Sequence, residues 1–222
     1  MRGVKLSGKI KITHIKTTES NKYPKLQLTR DPNMAHMYSF GEVRILTPRE
    51  YDKLRSVIPQ ERHKILLDIL LITGMRYVEV VRLWHNPKWY NESRNIIHLP
   101  QEAQRKSKRS QQERTIHPLP TMFNYVLKNF WEAREPPSES SWNRDLRKWA
   151  QIAGIAPYGL SAKTTRKTLE SWCVASGMEV TTVCLRQGHD SLTSMRHYQG
   201  LAFSDDELND VKKKLVAWRI LR

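Results

Sequence analysis

Six side chains of the sequence stand at spacings that suit chemistry on a phosphate. In "TGMRYVEVVRL", Arg76 follows a glycine that ends an apolar helix, so its backbone is held by the core while its guanidinium faces out. A planar guanidinium makes two hydrogen bonds to a phosphate at once, and Glu79, three residues on, could orient it. In "SAKTTRKTLESW", Lys163 and Arg166 share a helix face behind Ser161, a candidate N-cap, and two cations on one face make an anion site. In "LRQGHDSLTSMRHYQG", Gly188 ends one helix and turns His189 out at the start of the next, with Tyr198 near that helix's far end. A histidine moves protons near neutral pH, and a phenol becomes a nucleophile once it is helped to lose its proton. Taken singly, each pattern is equally that of a surface ion pair, a solvated basic face or a structural helix end.

The bulk composition favours a polyanionic partner. Lys plus Arg number 38 against 22 for Asp plus Glu, a formal charge of +16, far more than solubility requires. Nucleic acid fits better than a membrane, because the longest apolar run, Ile65 to Ile72, is interrupted by Asp68 and is too short to span a bilayer. The opening "MRGVKLSGKI" is basic but lacks the apolar stretch of a secretory signal, so an intracellular protein is expected, in host cytoplasm or nucleoid. The two cysteines, Cys173 and Cys184, have neither C-x-x-C spacing nor a histidine cluster beside them and read as small buried residues. Neither metal nor redox chemistry is favoured by that cysteine pattern, and neither a P-loop nor an acidic metal cluster is visible in the sequence.

These residues need elements to carry them. Residues 1–44 hold short alternating pieces such as "KIKITHIK" and read as a basic arm or linker; a compact domain, 45–222, begins near Ile45. Thr47, Pro48 and Glu50 form a helix start with a capping box. "ERHKILLDILLITG" reads as a central buried helix stopped by Gly74, and "MRYVEVVRLW" as a short helix leading to the strand-like "NIIHLP" and "RTIHPLP". The polar run between those strands, "QEAQRKSKRSQQE", makes a basic loop. Beyond Thr121 the pattern is helical, broken at "REPPSES", at "GIAPYGLS", at Gly177 and at Gly188. A last helix, 205–220, starts at a Ser204–Glu207 capping box, and Leu208, Val211, Leu215 and Trp218 give it a face to dock on its own domain or on a neighbour.

In chain order, the "TG-x-R-x-x-E" arginine, a basic hairpin, "K-x-x-R", "GH" and a tyrosine nine residues later resemble the catalytic domain of the tyrosine recombinase, or phage-type integrase, family. The resemblance runs from about Ile45 to Gly200. It implies a mainly α fold with a small three-stranded antiparallel sheet. It also implies that Tyr198 attacks a DNA phosphodiester, leaving a 3′-phosphotyrosyl link and a free 5′-hydroxyl. Arg76 and Arg166 would hold the non-bridging oxygens, and His189 would bond the same phosphate and assist Tyr198. Lys163 stands where most members have a second histidine, a variant similar to integrases of archaeal viruses. The proton for the leaving oxygen comes in this family from a hairpin lysine; counting back from the third strand favours Lys108, with Lys106 close behind.

The implied partner is a double-stranded DNA attachment site, on which copies of the chain would associate as a dimer or tetramer. Residues 1–44 are too short for the separate helical clamp domain that members usually carry. Two rival functions are relaxation of DNA by a type IB topoisomerase, which shares this chemistry, and a non-enzymatic helix-turn-helix in which Arg186 and Arg196 lie on phosphates.

Overall fold

The computed structural model describes residues 39–40, 43–103, 113–188 and 203–221. Its first elements, β1 (Ser39–Phe40) and β2 (Val43–Arg44), form a short antiparallel hairpin whose backbone register pairs residue 40 with Val43. The hairpin joins the body through the Arg44 N–H, which donates to the Gly159 carbonyl at 3.1 Å. Ile45 and Leu46, which follow the hairpin, are fully buried.

Helix α1 (Pro48–Val57) starts with the expected capping box: Thr47 Oγ1 accepts from the Glu50 N–H, and Glu50 accepts from the Thr47 N–H. Helix α2 (Glu61–Thr73) is buried on almost every side and ends at Gly74, whose φ of 63° is the left-handed conformation glycine adopts without strain. Asp68, the charge that interrupts its apolar run, accepts from Tyr51 at 2.5 Å and from Arg55 at 2.8 and 2.9 Å. A half-buried carboxylate is tolerated there because these donors pair it.

Helix α3 (Tyr77–His85) leads into a sheet of β3 (Tyr90–Asn91), β4 (Ile96–Leu99) and β5 (Arg114–Ile116), antiparallel in the order β3-β4-β5. Its register pairs Ile97 with Ile116 and Leu99 with Arg114. Strand β3 is the one the sequence pattern does not reveal, since two residues are too few to show alternation. Helices α4 (Phe123–Glu132) and α5 (Glu139–Ile152) follow on either side of the "REPPSES" break.

Helix α6 (Thr164–Ala175) is, with α2, the middle of the molecule, and the two pack against each other. Trp172 donates to the Leu46 carbonyl at 2.9 Å, and Thr168 accepts from the Leu46 N–H at 3.0 Å, so α6 holds the domain's first residues. Helix α7 (Val180–Gln187) ends at Gly188 in the left-handed conformation, φ 71°. Cys173 and Cys184 are buried, as expected, and burial pushes the Cys173 thiol up to about 12.

The last helix, α8 (Asp205–Ala217), opens with the Ser204–Glu207 capping box and docks on α1 and α6 of its own chain. Val211 and Leu215 are buried, and Trp218 stacks on Trp172 with ring centroids 6.0 Å apart. Lys214 pairs with Asp52 at 2.7 Å and Arg49 with Asp210 at 3.0 Å along the rim. The helix stops at Ala217 rather than at 220. The chain reverses at Arg219, φ 59°, so that the Ile220 N–H reaches the Leu215 carbonyl and the Arg219 N–H the Val216 carbonyl. That is a Schellman end with an arginine in the usual glycine place; it buries Ile220.

Candidate active site

The two glycine-terminated helix ends meet, and the arginines gather between them. Arg76 is the residue before α3, and its guanidinium donates to Glu79 Oε1 at 2.7 Å and, more weakly, to the Gly188 carbonyl at 3.4 Å. Its backbone N–H donates to Glu79 Oε2 at 2.7 Å, so one carboxylate holds both ends of the residue. With 23% of its side chain exposed, Arg76 keeps an open edge. Arg166 rises from the first turn of α6 and donates to the Gly74 carbonyl at 2.8 Å and to the Gln187 carbonyl. Arg166 therefore bridges the end of α2 to the end of α7, and Arg76 bridges the start of α3 to the same end of α7.

Two of the sequence expectations are corrected here. Lys163 and Arg166 do not share a solvated face: Lys163 is exposed at the N-cap of α6, whereas Arg166 is only 7% exposed. Ser161 is not the N-cap either. Its hydroxyl accepts from the Lys163 N–H one turn early, its own N–H donates to Thr164 Oγ1, and the helix starts after Lys163. The approach to Lys163 is fixed from α5, where Asn143 accepts from the Ala162 N–H at 2.6 Å and Arg147 donates to the Leu160 carbonyl at 3.0 Å. His189, Tyr198, Lys106 and Lys108 lie outside the described residues, as does Arg196. Gly188, which precedes His189, is held directly against Arg76.

Glu79 does more than the sequence spacing suggests. It is 0% exposed and also accepts a two-pronged contact from Arg114, at 3.1 and 2.6 Å. Burial alone would raise its pKa, but Arg114, then Arg76 and Arg166, hold the carboxyl below the ordinary carboxylate range. Burial lowers the Arg166 pKa, and the neighbouring Arg76 and Arg114 lower it further. Three guanidiniums thus surround one carboxylate. The nearby Glu170 is matched by Lys167 at 2.7 Å and leaves the surplus of positive charge unchanged. A site with that surplus and an open edge on Arg76 is built to receive an anion.

Arg114 was missed from the sequence, although a signal existed. Strand alternation that turns Ile116 inward turns Arg114 inward too, because side chains of i and i+2 share a face. Arg186 was placed on phosphate in the helix-turn-helix alternative, and the structure overturns that. It is 6% exposed and donates to the carbonyls of Ile72, His117 and Pro118, which ties the end of α2 to the end of the sheet. Among the described residues no group of three or more His, Cys, Asp or Glu could hold a metal ion, and no helix is long and apolar enough to cross a membrane.

Comparison with known proteins places this geometry in context. The phage integrase family matches residues 44–204. No curated protein sequence matches significantly. Among solved structures the fold is similar to that of the XerA recombinase, at 17% identity and a TM-score of 0.56, over 81% of this chain and 66% of that one. It is also similar to the Tn1549 transposon integrase in complex with transposon right end DNA, at 15% identity and a TM-score of 0.60, over 83% of this chain and 68% of that one. A second structure of that integrase, with circular intermediate DNA, gives 16% identity and a TM-score of 0.57 over 77% and 66%. The chain thus spans about two thirds of the length of these proteins.

Proposed function

The chain belongs to the phage integrase family, and from that premise we propose that it is a site-specific tyrosine recombinase, cutting and rejoining DNA strands through a covalent 3′-phosphotyrosyl intermediate. The observation that carries the proposal is the surplus of positive charge at Arg76 and Arg166, whose guanidiniums donate to the Gly188 and Gln187 carbonyls just before His189. Those two arginines take the non-bridging oxygens of the scissile phosphate and stabilise the charge that builds on them in the pentavalent transition state. Tyr198 Oη attacks phosphorus, the bond to the 5′-oxygen breaks, and a hairpin lysine, Lys108 or Lys106, gives that oxygen its proton. His189 bonds the same phosphate and assists Tyr198, and Lys163 supplies a further donor from the start of α6. The phosphotyrosyl bond keeps the energy of the broken phosphodiester, so rejoining needs no ATP.

In this reading residues 45–222 are the catalytic unit, residues 1–44 are a basic arm, and the partner is a double-stranded attachment site inside the cell, with copies of the chain pairing on two such sites. The structures of the Tn1549 integrase on DNA support the DNA-binding part of it. The surplus basic charge supports it independently.

The test is covalent trapping on a nicked DNA carrying the attachment site. An adduct that survives denaturation and disappears in Tyr198→Phe is expected. An adduct of equal yield in Tyr198→Phe removes the tyrosine from its role. Relaxation of supercoiled plasmid without any paired site assigns the chemistry to a topoisomerase instead.

A further inference from the structure

An arginine that grips a phosphate has to be aimed, and one buried side chain is placed to aim Arg76. Arg114 is the first residue of β5. Its side chain is only 2% exposed, yet a guanidinium is costly to bury unless it is paired. The partner is Glu79, and the geometry is a parallel fork: Arg114 Nη1 on Oε1 at 3.1 Å and Nη2 on Oε2 at 2.6 Å. The same two carboxylate oxygens take the Arg76 side chain and the Arg76 backbone, each at 2.7 Å. Glu79 accepts four donors and has no freedom left to turn.

We propose that Arg114 is a positioning residue: through Glu79 it fixes the direction in which Arg76 presents its guanidinium. It touches neither DNA nor the reacting atoms. A point charge cannot replace it, because a lysine supplies one centre where the carboxylate needs two parallel donors. A displacement of the order of 1 Å in a phosphate-holding group costs about 10²-fold in rate.

The role in catalysis rests on the function proposed above, so the experiment has one arm that needs cleavage and one that does not. In the first, single-turnover adduct formation is measured for wild type, Arg114→Lys, Arg76→Ala and the double variant, with DNA affinity measured alongside. Arg114→Lys is expected to form adduct about 10²-fold more slowly while binding DNA within about twofold of wild type, the loss expected of a misdirected group. Adding it to Arg76→Ala is expected to cost nothing further, since the residue acts only through Arg76. A wild-type rate in Arg114→Lys, or the same fold loss in both backgrounds, overturns the proposal. Should Arg114→Lys fail to fold, Glu79→Asp keeps every charge and shortens the bridge; it is expected to be slowed similarly, and a wild-type rate there is equally fatal.

The second arm records the arginine side-chain nitrogen spectrum of the free protein, with the Arg76 signals identified by their loss in Arg76→Ala. Restricted rotation of its guanidinium in wild type that is lost in Arg114→Lys or Glu79→Asp supports the positioning role. Identical Arg76 signals in all three refute it, and they do so even if no DNA is cleaved, an outcome that would count against the proposed function alone.

Discussion

Replacing Gly74 by alanine tests how closely the two helix ends are fitted. Gly74 has φ 63°, so any side chain there meets left-handed strain of roughly 1 kcal/mol. Space is the second cost. A Cβ at Gly74 would lie 2.2 Å from Gln187 Nε2, 2.7 Å from Oε1 and 2.9 Å from the carbon between them. Gln187 is 0% exposed, so its amide has no solvent to swing into. Forced repacking of a filled interior adds roughly 1–3 kcal/mol. Gly154 and Gly177 provide the reference, because both have positive φ and neither has a foreign atom within 4 Å of its would-be Cβ. Urea unfolding of Gly154→Ala and Gly177→Ala is expected to show a loss of about 1 kcal/mol, from strain alone. Gly74→Ala is expected to lose about 2–4 kcal/mol, the sum of strain and overlap. The Gly74 carbonyl also accepts from Arg166, so adduct formation is expected to fall even in conditions where the variant is fully folded. A Gly74→Ala protein no less stable than Gly154→Ala would show that Gln187 yields freely and that the fit between the helix ends is loose.

Removing the Glu79 charge with Glu79→Gln leaves buried guanidiniums uncompensated and is expected to cost about 3–5 kcal/mol in chemical unfolding. Because Arg114, Arg76 and Arg166 lower the folded pKa of Glu79 against the cost of burial, its contribution is complete above the unfolded carboxylate pKa and fades as pH falls through the lower folded value. The stability gap between wild type and Glu79→Gln should therefore be constant near neutrality and shrink below about pH 4; a gap that widens on acidification contradicts the pairing. DNA affinity should fall about 10³-fold between 50 and 200 mM salt if about six phosphates are contacted, and a flat response would remove nucleic acid as the partner. Trp218→Ala should loosen α8 and cost about 2 kcal/mol, less than for a fully buried aromatic, read as a lower unfolding midpoint; no change would mean that the Trp172 stack does not hold the helix.

The legible parts of the fold were those with local punctuation. Thr47, Gly74, Gly188 and Ser204 mark helix ends by side-chain and backbone chemistry that acts within a few residues, and the structure uses each as expected. Arg76 with Glu79 is likewise a local pair, three residues apart on one helix. What the sequence did not reveal depends on distant chain meeting distant chain. Arg114 finds Glu79 across 35 residues, and Arg186 finds Ile72 across 114. In each case a basic residue that composition would send to the surface is buried because the fold brings it a carboxylate or a set of open carbonyls. Ser161 was misjudged for a different reason: a tight turn before α6 takes up its hydroxyl, and the helix then begins later than the nearest capping residue suggests.

Two fixed points bracket the segment that holds Tyr198. On one side Gln187 and Gly188 are gripped by Arg166 and Arg76. On the other, Ser204 caps α8, which is fastened to α1 and α6 by Val211, Leu215, Trp218 and the two rim ion pairs. From Tyr198 to Ser204 is six residue steps, so a fully extended chain covers about 20 Å. On the function proposed above, the docking of α8 therefore sets an upper bound on how far Tyr198 can lie from Ser204, so the hold of one helix bears on how far the tyrosine can reach.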